Sequence, residues 1–100
     1  MLALMVFSAI EGNAADAAAQ THTVVIKGFR FNPETLTAHR GDRIVWRNKD
    51  LVPYTATTHG VFDSRSIAPG SSWTYVARKV GMLPYVCTFH STMQGSLTVE

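Results

Sequence analysis

From Thr21 onward the chain runs in short alternating stretches. In Asp42-Arg43-Ile44-Val45-Trp46-Arg47, Ile44 and Trp46 fall on one side. In Ser72-Trp73-Thr74-Tyr75-Val76, Trp73 and Tyr75 oppose Ser72, Thr74 and Val76. A period of two sends neighbouring side chains to opposite faces of a strand. Together with β-branched and aromatic enrichment, the pattern predicts strands over 22–27, 35–38, 42–47, 54–58, 72–77, 83–87 and 96–99. Gly28, Gly41, Gly60, Gly70, Gly81 and Gly95, with Pro33, Pro53, Pro69 and Pro84 between them, separate these runs. No window past the first twenty residues has a helical period. Short strands at this spacing predict an all-β sandwich or barrel.

The opening stretch follows another pattern. Residues 2–10 are an apolar run and 11–20 are small and polar. The run is far below the roughly 20 residues of a membrane span. It fits a secretory leader, with small-x-small sites at Ala15-Asp16-Ala17 and Ala17-Ala18-Ala19, although no cation precedes Lys27. The expected organisation is a leader over 1–19, a folded domain over 20–100, no membrane span and export to the periplasm.

Composition narrows the function. At 100 residues, 46% hydrophobic and 16% charged, the chain holds one small globular domain. Removing Glu11 and Asp16 with a leader leaves nine basic and five acidic side chains, a net charge of +4 (9 − 5). The cations are dispersed along the sequence, which argues against nucleic acid and fits an acidic protein partner at least as well. A single cysteine excludes an intrachain disulfide, a four-thiolate zinc site and an iron–sulfur cluster built by this chain alone.

That cysteine carries the chemistry. A spare thiol is a liability in an oxidising compartment, so Cys87 is either a buried small hydrophobe or a ligand. It opens the heptad Cys87-Thr88-Phe89-His90-Ser91-Thr92-Met93 at the end of a predicted strand. A loop leaving the strand there can aim thiolate, imidazole and thioether at one centre. Those donors suit copper, in either oxidation state, better than zinc, magnesium or calcium.

Several segments now line up with a known pattern: Val25-Ile26 through Phe29-Arg30-Phe31-Asn32-Pro33, Gly41 through Asn48, Val61-Phe62-Asp63-Ser64, Pro69 through Trp73, and Tyr85-Val86-Cys87 through Met93 and Gly95. In this order they resemble the cupredoxin family, in its small plastocyanin- and amicyanin-like branch, over nearly all of residues 22–100. The resemblance implies a Greek-key β-sandwich with one mononuclear copper and one-electron transfer. It makes Cys87 the thiolate, His90 the second histidine and Met93 the axial thioether.

The family's first histidine is absent. Its Asn-x-Asp-x-x-Pro-His-Thr frame reads Asn48-Lys49-Asp50-Leu51-Val52-Pro53-Tyr54-Thr55 here. Three readings are open. Tyr54 ligates as phenolate, which needs help because a free tyrosine titrates near pH 10. Or Tyr54 packs, leaving a Cys-His-Met site. Or another histidine substitutes, with His59 displaced by strand alternation and His39 and His22 expected on the surface. A chain cut after Ala19 would also start Gln20-Thr21-His22, an end able to chelate Cu(II).

Trp46, Trp73, Tyr75, Phe29, Phe31 and Phe62 are expected in the core. Leu51, Val52, Pro53, Met82, Leu83, Pro84 and Phe89 sit in sequence beside the proposed ligands. They are expected to form an apolar docking patch around His90 for a weakly bound redox partner. The leading function is electron transfer by a monomer. The alternative is a copper carrier or storage module holding Cu(I) on Cys87, His90 and Met93. An enzyme is not expected: copper oxidases of this lineage need a further cluster fed by many histidines, and the chain has four.

Overall fold

The computed structural model describes residues 18–100, so the expected leader lies, but for its last two residues, outside the described part. Nine strands follow in order: β1 (Thr21–Lys27), β2 (Arg30–Asn32), β3 (Thr35–Ala38), β4 (Arg43–Asn48), β5 (Thr57–Thr58), β6 (Phe62–Asp63), β7 (Ser72–Val76), β8 (Gly81–Cys87) and β9 (His90–Val99). They form a four-stranded sheet, β2-β1-β4-β7, and a five-stranded sheet, β3-β9-β8-β5-β6. β1–β4 and β3–β9 are parallel and the other pairs antiparallel. The described residues are all-β, as the alternation predicts.

Alternation places the core. Val24 and Ile26 of β1, Ile44 and Trp46 of β4, and Leu83, Tyr85 and Cys87 of β8 are buried, while their neighbours along each strand point outward. Each fully buried aliphatic side chain contributes about 1.5–3 kcal/mol. Trp46 is the hub of an aromatic cluster, with Phe62, Trp73 and Tyr85 ring centroids 5.3–5.7 Å away.

Several boundaries differ from the expectation. β2 and β6 are too short to announce themselves by alternation. Over 54–58 only Thr57–Thr58 forms a strand, and Tyr54 makes an isolated bridge to Ile67. β9 begins at His90 rather than Ser96. Phe29 is not in the core: it occupies the two-residue β1–β2 turn with Gly28, both at φ +62°, and is exposed.

Two contacts fix the ends of the fold. Asp42, buried, accepts the Gln20 N–H at 2.9 Å, the His22 Nε2–H at 2.9 Å and the His39 N–H at 2.9 Å. His22 is therefore a half-buried partner of Asp42 rather than a free surface side chain. Gly95 lies against Tyr85, where a Cβ would stand 2.5 Å from the ring.

Gly95→Ala is therefore expected to lower stability by about 1–3 kcal/mol, the usual cost of overpacking, measured by urea unfolding. The Gln20 N–H, the His22 bond and the His39 N–H hold the Asp42 carboxyl well below the usual carboxylate range. A folded-state pKa below the unfolded one gives stability that is complete above about pH 4 and is lost as pH falls below it. Asp42→Asn should flatten that acid limb of the melting-temperature profile.

Candidate metal centre

One end of the sandwich gathers the turns that follow β1, β4 and β8. The end of β8 and the start of β9 form its floor. Pairs from Gly81↔Val99 to Val86↔Gln94 keep one register, and one further step would set Cys87 opposite Met93. Instead the register shifts between Val86 and Cys87, and Cys87 pairs with His90 across a turn of Thr88 and Phe89. Ser91, Thr92 and Met93 are the extra residues of this bulge. Directly opposed residues carry their side chains on one face, with Cβ atoms about 4.5–5.5 Å apart. Cys87, 1% exposed, thus faces the core beside half-buried His90, and Met93, 4% exposed, turns in from the bulge. The loop expected between Cys87 and Met93 is a tight hairpin.

The floor is held to the β4–β5 connection. Thr55 N–H donates to Cys87 Sγ at 3.3 Å, presenting the positive end of its dipole to the sulfur. Thr88 N–H donates to Thr55 Oγ1 at 2.8 Å, and the two hydroxyls lie 3.2 Å apart. Thr57 Oγ1 reaches both Thr55 Oγ1 and Asp63 Oδ1 at 3.1 Å. Asn48 shapes the connection from within. Buried at the end of β4, it donates from Nδ2 to the Val52 carbonyl at 2.8 Å and the Ile67 carbonyl at 2.9 Å, while its Oδ1 accepts the Asp50 N–H at 2.9 Å.

That frame delivers Tyr54 into the interior, 0% exposed. Its hydroxyl donates to Asp50 Oδ2 at 2.6 Å and accepts the Phe29 N–H at 3.2 Å. Asp50 also accepts the Gly28 N–H at 2.8 Å, so both turn residues of the β1–β2 hairpin are pinned to this connection. The Tyr54 hydroxyl, then the Leu51 and Gly28 N–H groups, hold the Asp50 carboxyl below the usual carboxylate range. Burial, then the hydrogen bond to Asp50, pushes the Tyr54 phenol above its ordinary value.

His90 sits between two aromatic rings. Phe29 meets it edge-on at 4.8 Å between centroids, and Tyr54 lies tilted at 5.1 Å. His90 Nε2 is buried and has no hydrogen-bond partner. Buried imidazole nitrogens are normally satisfied, so an orphan calls for a partner from outside the chain. Among the described residues no three His, Cys, Asp or Glu side chains converge on a metal-sized centre. Of the candidate donors, Cys87, His90 and the Met93 thioether carry no competing protein acceptor, while the Tyr54 hydroxyl is engaged by Asp50 and the Phe29 N–H. His59 is exposed in the β5–β6 turn, which leads away from Cys87, and His39 is exposed in the β3–β4 turn.

The apolar surface at this end includes Phe29, Leu51, Val52, Pro53 and Phe89, with Leu51 90% exposed. Met82 and Pro84 are exposed on β8, but Met82 precedes Cys87 by five residues, about 17 Å along a strand. Leu83 is buried. These three lie away from the ligand end, contrary to the expectation, and Phe29, expected inside, takes a place there instead. Its proximity to His90 arises from a turn 61 residues earlier in the chain (90 − 29), which no local motif reveals.

Tyr54→Phe is expected to lower the melting temperature and to speed hydrogen exchange at the Phe29 amide. The Gly28 amide, still bound by Asp50, should change less.

The profile of the cupredoxin-like domain matches residues 1–99. No curated protein matches the chain significantly. Among solved structures, a purple cupredoxin from Nitrosopumilus maritimus is 23% identical, with a TM-score of 0.75, covering 79% of this chain and 99% of its own. The Cu(I) form of an amicyanin variant is 24% identical, with a TM-score of 0.76, covering 87% and 89%. A copper-containing nitrite reductase from Thermus scotoductus is 22% identical, with a TM-score of 0.74, covering 80% of this chain and 22% of its own. With the sandwich and the family profile in agreement, the chain belongs to the cupredoxin-like domain family.

Proposed function

We propose that the chain is an exported, periplasmic one-electron carrier holding a single copper ion on Cys87, His90 and Met93, with Tyr54 outside the ligand set. The observation that carries this reading is the buried, unpartnered His90 Nε2 in the residue paired with Cys87. The donor set fits: a thiol that already receives an N–H, an imidazole with an unused nitrogen, and a buried thioether are the soft and borderline ligands that copper selects. Bound there, copper supplies a one-electron couple.

The chain's own residues do the rest. Thr55 orients its N–H on the sulfur and is itself fixed by Thr88. Tyr54 and Phe29 sheath the imidazole and keep water from its inner edge. Low reorganisation in such a site follows from ligands held in place by packing before any electron arrives. Phe29, Leu51, Val52 and Phe89 offer a small apolar surface at the His90 end, suited to a short-lived encounter. Tyr54's hydroxyl, engaged by Asp50 and the Phe29 N–H, supports the packed reading over phenolate ligation. The loss of an imidazole at position 54 favours the copper-carrier alternative to this extent: fewer donors suit soft Cu(I) and ease its transfer.

Cys87→Ser should abolish the intense visible absorption of the Cu(II)-loaded protein and weaken Cu(I) binding by orders of magnitude; unchanged copper stoichiometry and spectrum would overturn the copper reading. Tyr54→Phe should leave the spectrum as in the parent, whereas Tyr54→His should move it toward an ordinary blue copper site. A changed Tyr54→Phe spectrum would return the phenolate to the ligand set. Reversible reduction and reoxidation with copper retained marks the electron carrier. Loss of copper on reduction to a Cu(I)-binding partner marks the transporter.

A further inference from the structure

The cations that look dispersed in the sequence are gathered by strand register. On the outer face of the four-stranded sheet, Lys27 of β1 pairs with Arg30 of β2, and Arg47 of β4 pairs with Val25 of β1. Arg43 lies two outward positions before Arg47 on β4, and Lys49 follows β4, its N–H bonded to the Ile26 carbonyl at 3.0 Å. All five side chains are exposed. None forms a salt bridge among the described residues, where the ion pairs are His22–Asp42 and Arg65–Asp63.

Two acids, Asp50 and Glu34, border this face against its five cations, which leaves it net positive. Asp42 is buried on the inner side and Asp50 already accepts from Gly28, Leu51 and Tyr54. Glu34 stands at the rim, bordering the cleft of Val25, Lys27 and Arg30. Like charges directly opposite each other in a sheet are destabilising, as Lys27 and Arg30 are. The excess of cations over acids on this face is complementary to an anionic surface from outside.

We propose that this face docks an acidic protein surface. Its outward positions between the cations are Thr23, Val25, Val45, Ser72 and Thr74, all short side chains. No aromatic side chain of these strands points outward to stack a base, which disfavours single-stranded nucleic acid. The face also runs into the apolar end of the molecule: Phe29 lies between Lys27 and Arg30 in sequence, and Leu51 two residues beyond Lys49. A partner held by the cations is therefore placed against the side of the His90 end. The inference names the partner surface for the electron-transfer reading above and rests on it for its purpose, but its binding step needs no metal.

The test uses metal-free protein at low salt with poly-L-glutamate as the acidic polypeptide, followed by amide NMR shifts. Shifts should concentrate in 23–30 and 43–49. Lys27→Glu/Arg30→Glu/Arg47→Glu should weaken binding by about tenfold or more. Arg65→Glu/Arg78→Glu/Lys79→Glu changes net charge equally but lies off this face, and should weaken it far less. Equal losses in both triples would show a net-charge effect and overturn the proposal. So would shifts centred elsewhere, or tighter binding to a single-stranded oligonucleotide or to anionic phosphatidylglycerol vesicles. Because copper is absent throughout, failure here leaves the copper reading standing, and failure of Cys87→Ser to affect copper leaves this one standing.

Discussion

A three-residue slip between two adjacent strands governs the candidate centre. Had β8 and β9 kept the register they hold from Gly81↔Val99 to Val86↔Gln94, Cys87 would face Met93 and His90 would lie in a longer loop. The bulge brings His90 opposite Cys87 while Met93 still turns inward. One cysteine thereby acquires two neighbours from a seven-residue segment, and the sheet above it is undisturbed. Bulges exist where a side chain must be re-aimed without dismantling a ladder. The N–H of Thr55 on the sulfur adds a third fixed contact from a different part of the chain.

Tyr54 completes the enclosure by a different means from an imidazole. Its ring fills the space beside His90, and its hydroxyl passes beyond to Asp50 and to the backbone of the β1–β2 turn. Residue 54 thus ties together the β4–β5 connection and the turn that carries Phe29, a non-glycine residue in the left-handed region. Such a backbone conformation persists when its surroundings hold it there, and here the Phe29 N–H donating to Tyr54 and the Gly28 N–H donating to Asp50 do so.

The sandwich was legible because inward and outward positions alternate cleanly in β1, β4, β7 and β8. The start of β9 was not, since the bulge breaks the period of two across Ser91–Met93 and the segment then reads as loop. β2 and β6 are too short for any periodicity. The position of Tyr54 was marked by the Asn48-to-Thr55 frame, but its hydroxyl's second partner, the Phe29 N–H, is 25 residues away in the chain. Cation clustering was invisible for the same reason: Lys27, Arg30 and Arg47 meet only once the parallel β1–β4 pairing is known.

The order of strands in the five-stranded sheet has a consequence for how the molecule comes into being. β9, the last strand, is interior, hydrogen-bonded to β3 on one side and β8 on the other. Among the described strands β9 is the last in sequence, so the middle of the sheet is missing until β9 is in place. Non-local pairings of this kind are slow to form, and until they do the thiol of Cys87 and the unpaired edges of β3 and β8 are open to solvent. Burying Cys87 and closing the five-stranded sheet are therefore linked through the same strand.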